Sequence, residues 1–397
     1  MLRVGLTGGI ASGKTRVRAR LAECGLATLD LDRVAHAVVE PGRPAHADIV
    51  RLFGPSVVGA DGRIDRRVLG GIVFADAAAR RDLNAIVHPR VFDEEERLVA
   101  ELPGDRRDVV VTDATLLVES GYHVRYARLV ATSCRATQQR ERLMKRDGMS
   151  ADDASARIAA QMPVDEKARY AHRVVDTSAS EEETDRAARS LADELRTEAA
   201  SWRGPAPVEL SRAVGCLARG PQHGPRGLTP LRLARAIGTH GAPPFAALAR
   251  ELTPPASGPW YDAGGSEDPG GPGPEALMGP VMLWCHGFHG PDIECLLAAA
   301  VSTARLTHAE PSALASAAAF ALALHLVAEA GRVPTDLVAR VHAETARIER
   351  WSGAPPRPWG GALQGALDGL AQGVALADVP AEMAAAAAGL LGQGSRV

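Results

Sequence analysis

Eight residues near the N-terminus, Gly8-Gly9-Ile10-Ala11-Ser12-Gly13-Lys14-Thr15, restrict what this chain can fold into more than any other stretch. They fit G-x-x-x-x-G-K-[ST] without a mismatch, the pattern of a phosphate-binding loop. Such a loop works only between a strand and a helix. The glycines let successive backbone N–H groups turn inward around phosphate oxygens, and a following helix adds the positive end of its dipole. The flanks supply both elements. Leu2, Val4 and Leu6 alternate with Arg3 and Gly5, as in a strand. Val17, Leu21 and Cys24 recur at i, i+4 and i+7, as on one face of a helix, and Gly25 is placed to stop it. The Lys14 ammonium suits the β- and γ-phosphates of a nucleoside triphosphate, and the Thr15 hydroxyl suits Mg²⁺. Lys14 is one of only three lysines, with Lys145 and Lys167; other basic positions are arginine.

The pattern downstream is that of a doubly wound α/β domain. Ala27–Leu29, Val109–Val111, Leu129–Ala131 and Val174–Val175 read as strands with helical stretches between them, which implies a parallel sheet. Ser150 and Asp153 form a variant capping box for a helix carrying Ala154, Ile158 and Met162 on one face. The acidic run Glu181–Glu183 opens a helix that ends this domain near residue 200. Residues 201–207 read as a linker. Residues 208–397 form a smaller, mainly α-helical, Ala-rich domain, with helices over 292–331, 336–350 and 361–389. A Pro/Gly-rich insertion at about 253–280 reads as a long loop or disordered segment.

A length of 397 residues with 46% hydrophobic content supports two or three domains with real cores, and a formal net charge of −3 gives no pull toward nucleic acid or anionic membrane. The five cysteines show no CxxC spacing, and the chain opens on a strand without a signal peptide, so a reduced, cytoplasmic protein is expected. The apolar run Leu296–Ala330 is interrupted by Arg305, His308 and Glu310, against a membrane span.

Several residues carry candidate chemistry. Asp32, just past the second strand, sits where an α/β sheet builds its site. It is a candidate base for an acceptor hydroxyl, or the N-cap of a helix over 33–39, or both. Asp30 is ambiguous. Asp113 ends an apolar strand, as a Mg²⁺-holding carboxylate does, though a turn aspartate fits equally. Arg140, Arg142 and Arg146 lie on one helix before Gly148, either as a lid over a triphosphate or as a solvated basic face. His88 precedes Pro89, the ordinary pattern of a helix end, although its ring could touch substrate. Cys285, His286 and His289 fall within five residues, but structural zinc takes four ligands, and Trp284 and Phe288 beside them favour a packed turn.

Together these motifs resemble the dephospho-coenzyme A kinase family over residues 1–195. They run in order from Leu6–Thr15 through Asp30-Leu31-Asp32, Val38–Gly42, Leu83–Pro89 and Leu116–Glu119 to Arg142–Asp147. The resemblance implies a P-loop kinase fold and transfer of the ATP γ-phosphoryl to the ribose 3′-hydroxyl of dephospho-CoA, the last step of CoA synthesis, with ATP and Mg²⁺. It implies catalytic roles for Lys14, Asp32, Arg142 and Arg146. ATP would be bound by Gly8, Gly9, Ile10, Ala11, Ser12, Gly13, Lys14, Thr15, Arg16 and Arg140. Dephospho-CoA would meet Asp32, His88, Leu116 and Glu119, and Mg²⁺ would meet Thr15 and Asp113. Two departures stand out: Thr115 replaces the family's usual proline, and Thr177-Ser178 follows Asp176 where Asp-Asn is usual.

In the second half, Ser302–His308 before Pro311, and Ala213–Leu217, resemble parts of an ADP-ribosylglycohydrolase. The Gly-Asp pair and Thr-Asp-Asp-Thr motif of that family are missing, which implies a binding or scaffolding module without hydrolase activity. Other classes compatible with the loop are a different small-molecule kinase and an ATP-binding regulator without transferase activity.

Overall fold

The computed structural model describes residues 1–202, 210–219, 228–240, 243, 245, 248, 273–354 and 379–391. Of the predicted linker only 201–202, and of the predicted insertion only 273–280, fall within these; 361–378 of the last expected helix lies outside them.

A five-stranded parallel sheet runs in the order β2-β3-β1-β4-β5, with β1 Leu2–Gly8, β2 Ala27–Asp30, β3 Val109–Asp113, β4 Arg128–Ser133 and β5 Arg173–Asp176. The chain winds to one side of β1 for β2 and β3 and to the other for β4 and β5. The carboxyl edge of β1 is therefore a topological switch point, where such sheets bind ligands. β3 pairs in parallel with both β1 and β2, so Asp113 lies opposite Leu6 and Asp30. β3 is buried throughout, as its unbroken apolar run implies. β1 is buried on both faces too, although its sequence alternates. Arg3 is accommodated there by ion pairs to Glu95 at 2.6 Å and Glu96 at 2.9 Å, and Glu95 also accepts from Thr112 Oγ1 at 2.7 Å.

Helix α1, Lys14–Glu23, buries Val17 and Leu21, and leaves Cys24 half-buried. It stops at Gly25, whose φ is +89°, with Leu26 N–H donating to Leu21 O at 3.1 Å and Gly25 N–H to Ala22 O at 2.8 Å. Two helices open on reciprocal caps: Ser150 with Asp153, and Ser180 with Glu183.

Three local expectations change. Helix α2 spans Leu31–Ala37, and Asp30, not Asp32, is its N-cap, accepting from Arg33 N–H at 3.0 Å. The 24-residue helix Ala77–Ala100 runs straight through His88-Pro89. Packing overrides the proline signal there: Leu83, Ile86 and Val87 lie against the cluster of Ile49, Val57, Ile64 and Leu69, and Val91 and Phe92 are buried beyond the proline. Residues 274–280, expected within a loop, form a 3₁₀ turn and the start of helix Met278–His289, because Ala276, Leu277 and Met278 are buried.

The chain forms two compact units. The first comprises Met1–Thr115, Val130–Gln161 and Val175–Ala200. The second comprises Leu116–Leu129, Met162–Val174 and Ser201–Val397. Within the second unit, residues of or next to helices Met278–His289, Ile293–Ala304 and Thr345–Ser352 hold the two earlier segments by specific bonds. His123 Nε2 meets Ser302 Oγ at 3.1 Å and His289 Nε2 donates to Val124 O at 2.7 Å. Arg128 pairs with Asp292 at 2.9 Å, and Arg305 donates to Tyr170 Oη at 2.6 Å. Arg350 donates to His172 O at 2.9 Å. The two segments meet each other through buried Lys167, 2.8 Å from Glu119, and through Leu129 and His172, which exchange bonds of 2.8 and 2.9 Å.

Cys285, His286 and His289 diverge on their helix. Cys285 Sγ lies 3.9 Å from Cys295 O, His286 bonds His325, and His289 serves Val124. Helix Pro311–Ala330 is long and apolar enough to cross a membrane by length and composition, and 78% of its window is buried inside the unit, as in a core helix.

Candidate active site

The phosphate loop occupies the turn between β1 and α1. Gly13 adopts φ +85° and is the N-cap of α1; a side chain there would be strained, and its Cβ would lie 2.9 Å from Thr177 Oγ1. A Cβ on Gly8 would come within 2.1 Å of Thr132 Oγ1. Ala11 carries the other positive φ, +59°. Ser12 Oγ bonds Thr132 Oγ1 at 2.7 Å, which pins the loop to β4.

Lys14 pairs with Asp113, the last residue of β3. Arg18, one helical turn on, pairs with Asp30 and lies 3.5 Å from Asp113. Burial raises the Asp113 pKa, and Lys14 opposes that shift. At Asp30 burial acts in the same sense, but hydrogen bonds from Arg18 and the Arg33 amide outweigh it and lower the pKa. The register explains the grouping: two acidic strand ends lie side by side, and α1 supplies both cations.

Asp32 is exposed in the first turn of α2, and Thr115 Oγ1 donates to its Oδ2 at 3.4 Å. This pair repeats the Asp30/Asp113 neighbourhood two residues further along each chain segment. Thr115 is held in turn by Thr7 Oγ1, which donates to its carbonyl at 3.1 Å.

The remaining candidates are dispersed. Arg142, on helix Ala136–Asp147, donates from Nη1 to Thr177 Oγ1 at 3.1 Å and from Nη2 to Thr177 O at 2.6 Å. Arg140 is exposed on the same helix, and exposed Arg146 bonds its neighbour Asp147 at 2.6 Å. Arg16 and Thr15 occupy the first turn of α1. Thr15 is exposed, whereas Arg16 binds Asp185 at 2.7 Å and Glu181 at 2.6 Å. His88 is half-buried in its helix, and burial lowers its pKa to about 4, so the ring is neutral at pH 7. Leu116, 51% exposed, and Glu119 belong to the second unit. There Glu119 accepts from Lys167 and, at 3.3 Å, from Met162 N–H.

Sequence reasoning missed the residues that grip the loop. Gln139 Nε2 donates to Ile10 O at 2.6 Å, and Ile10 N–H donates to Gln161 Oε1 at 2.8 Å. Thr177 Oγ1 lies 2.9 Å from Ser12 O. These residues come from remote segments, with no spacing signal that ties them to the loop.

The dephospho-CoA kinase family model matches residues 2–183. A dephospho-CoA kinase from Symbiobacterium thermophilum is 48% identical over 181 residues, covering 46% of this chain and 76% of that protein. Another from Geobacter sulfurreducens is 43% identical, covering 46% and 93%. A third, from Leifsonia xyli, is 44% identical and is covered over its full length by 49% of this chain. The chain belongs to the dephospho-CoA kinase family. It is a kinase that uses ATP to phosphorylate dephospho-CoA in coenzyme A biosynthesis. The Leifsonia relative is matched end to end by the first half alone, so the helical half is additional to what that family member contains.

Proposed function

We propose that the loop, Lys14, Asp32 and the arginines of helix Ala136–Asp147 divide the phosphoryl transfer among them. The observation that carries this reading is the convergence of Lys14, Asp113 and Asp30 at the switch point of the sheet, with Asp32 two residues beyond Asp30. Amides of the loop other than those of Ile10 and Ser12, which are bonded to Gln161 Oε1 and Gly9 O, cradle the ATP phosphates, and Lys14 leaves Asp113 for the β- and γ-phosphates. Asp32, exposed and held at one oxygen by Thr115, takes the proton of the ribose 3′-hydroxyl, a contribution of about 10²- to 10⁴-fold. Arg140, Arg142 and Arg146 neutralise charge on the transferring group, Arg146 exchanging Asp147 for phosphate. Arg16 supports the loop from its pair with Asp185. His88, Leu116 and Glu119 are assigned to dephospho-CoA.

Mg²⁺ fits the residues present: Asp113 is a buried carboxylate that needs a cation once Lys14 turns to phosphate, and Thr15 is exposed at the helix start. Those two would hold it, and the ion would neutralise phosphate oxygens when bound. By sequence the kinase domain is residues 1–200, followed by a linker at 201–207 and the helical domain 208–397. The helical domain acts as a scaffold. The polar residues of its Ser302–His308 motif support this, since Ser302 serves His123, and Arg305 serves Tyr170 and Glu166. The enzyme acts in the cytoplasm on small molecules, without nucleic-acid or membrane partners, in keeping with its small net charge of −3.

ADP release dependent on dephospho-CoA tests the assignment. Lys14→Ala and Asp32→Asn should each lower kcat by at least about 100-fold while the protein stays folded. Near-normal turnover in either variant would remove that residue from the chemistry.

A further inference from the structure

The phosphate loop is held from outside by its carbonyls. Gln139 Nε2 takes Ile10 O at 2.6 Å, and Thr177 Oγ1 takes Ser12 O at 2.9 Å. In a trans peptide the C=O and the following N–H point in opposite directions. Tying Ile10 O and Ser12 O outward therefore aims the amides of Ala11 and Gly13 to the other side, the arrangement that makes an anion-binding concavity. Thr177 does a second thing that Gln139 does not. Its hydroxyl and carbonyl oxygens, as a pair, accept the fork of the Arg142 guanidinium at 3.1 and 2.6 Å.

Thr177 is well suited to join the two. It is 2% exposed and follows β5 directly. Its backbone N–H already donates to Ser133 O at 2.7 Å, which fixes its position at the end of β4. A hydroxyl has one hydrogen and two lone pairs. The hydrogen can serve Ser12 O, or Ser133 O at 3.1 Å, while a lone pair accepts from Arg142. The Cβ and Cγ2 fill the space that Gly13 leaves open, since a Cβ on Gly13 would lie 3.0 Å from both. The planar guanidinium matches two acceptors on one residue, which a lysine ammonium cannot reproduce.

We propose that Thr177 is a positioning residue for phosphoryl transfer: it latches Arg142 to the phosphate loop, so that the arginine and the inward amides are set as one piece before ATP binds. The proposal rests on the assignment of Arg142 to ATP made above, and it gives a role to a residue that departs from the family's usual Asp-Asn pair. The latch acts on the ATP end alone, so it separates the two substrates kinetically.

The test compares full-length Thr177→Val, Thr177→Ser, Arg142→Ala and the Thr177→Val/Arg142→Ala double variant by kcat and KM for each substrate. Valine keeps the shape and loses the hydroxyl. It should raise the ATP KM about tenfold, the worth of about one charge-assisted hydrogen bond, and leave the dephospho-CoA KM within twofold. Serine should restore most of the ATP affinity. In the Arg142→Ala background the valine substitution should have a clearly smaller effect, because its partner is gone. If Arg142→Ala is impaired and Thr177→Val is normal, the latch is wrong and the Arg142 assignment stands. If Arg142→Ala itself leaves the ATP KM and kcat unchanged, the Arg142 assignment fails and the latch with it. Fully independent effects, or equal rises in both KM values, also overturn the proposal. Should Thr177→Val fail to fold, Arg142→Lys decides: charge without the fork should raise the ATP KM if the latch operates, and a normal ATP KM refutes it.

Discussion

Mild acid should unfold the second unit, and the histidines set the size of the effect. His123, His172, His286, His289 and His325 are all buried there. Burial lowers the pKa of His123 to about 3 and of His286, His289 and His325 to about 4 each, and takes His172 well below 6.5. At His286, Glu329 offsets only part of this. In the unfolded chain each titrates near 6.5, so below that pH the unfolded state binds more protons and stability falls with pH. A depressed histidine therefore stabilises the fold fully above about pH 6.5 and loses that stabilisation progressively down to its folded pKa of about 3–4. Between pH 7.5 and 5.5 each histidine loses about 1.4 kcal/mol. Five together lose about 7 kcal/mol, comparable to the whole stability of an ordinary domain. No tryptophan precedes residue 202 in the sequence, and Trp202, Trp284 and Trp351 belong to this unit, so intrinsic fluorescence in urea reports on it selectively. The urea midpoint should drop steeply over that pH range. His325→Gln, which keeps a hydrogen-bonding group that cannot titrate, should flatten the dependence by about 1.4 kcal/mol. A midpoint that is constant, or that rises in acid, would refute the claim that these rings are held neutral.

Two further outcomes follow from the packing. Lys167→Met leaves Glu119 without its buried cation and should cost about 3–5 kcal/mol in urea unfolding, whereas a loss under 1 kcal/mol would mean the pair is not held as the 2.8 Å contact implies. A fragment ending at Trp202 loses the partners of His123, Val124, Arg128, Tyr170 and His172. Its segments 116–129 and 162–174 should exchange amide hydrogens far faster than in the full chain, and equal protection would show that the helical half does not support them.

Much of the first unit was legible because its signals are local. The loop glycines, the Gly25 stop and the Ser150 cap each depend on backbone angles or hydrogen bonds within about six residues. The buried strand β3 announces itself by its apolar run. Lys14 and Asp32 stand out as candidates for the same reason, since each sits at a fixed offset from the end of a strand. Where two short-range preferences competed, the sequence could not choose. Asp30 and Asp32 are equally good caps by type, and only the length of β2 selected Asp30. Pro89 is a helix breaker by every local rule, yet apolar contacts on both sides of it carry the helix through.

By itself, the sequence determined the phosphate loop, the alternating α/β order and the family, because these rest on residue type at short, fixed spacing. The tertiary structure alone decided which remote side chains hold the loop and which kinase segments the helical half takes as its own. Gln139, Gln161 and Thr177 reach the loop from more than 120 residues away, and no periodicity records a contact made across a sheet. Likewise nothing in residues 116–129 or 162–174 announces that His123, Val124, Arg128, Tyr170 and His172 find partners beyond residue 280. That follows from where unpaired carbonyls, rings and charges find complements once the chain is packed.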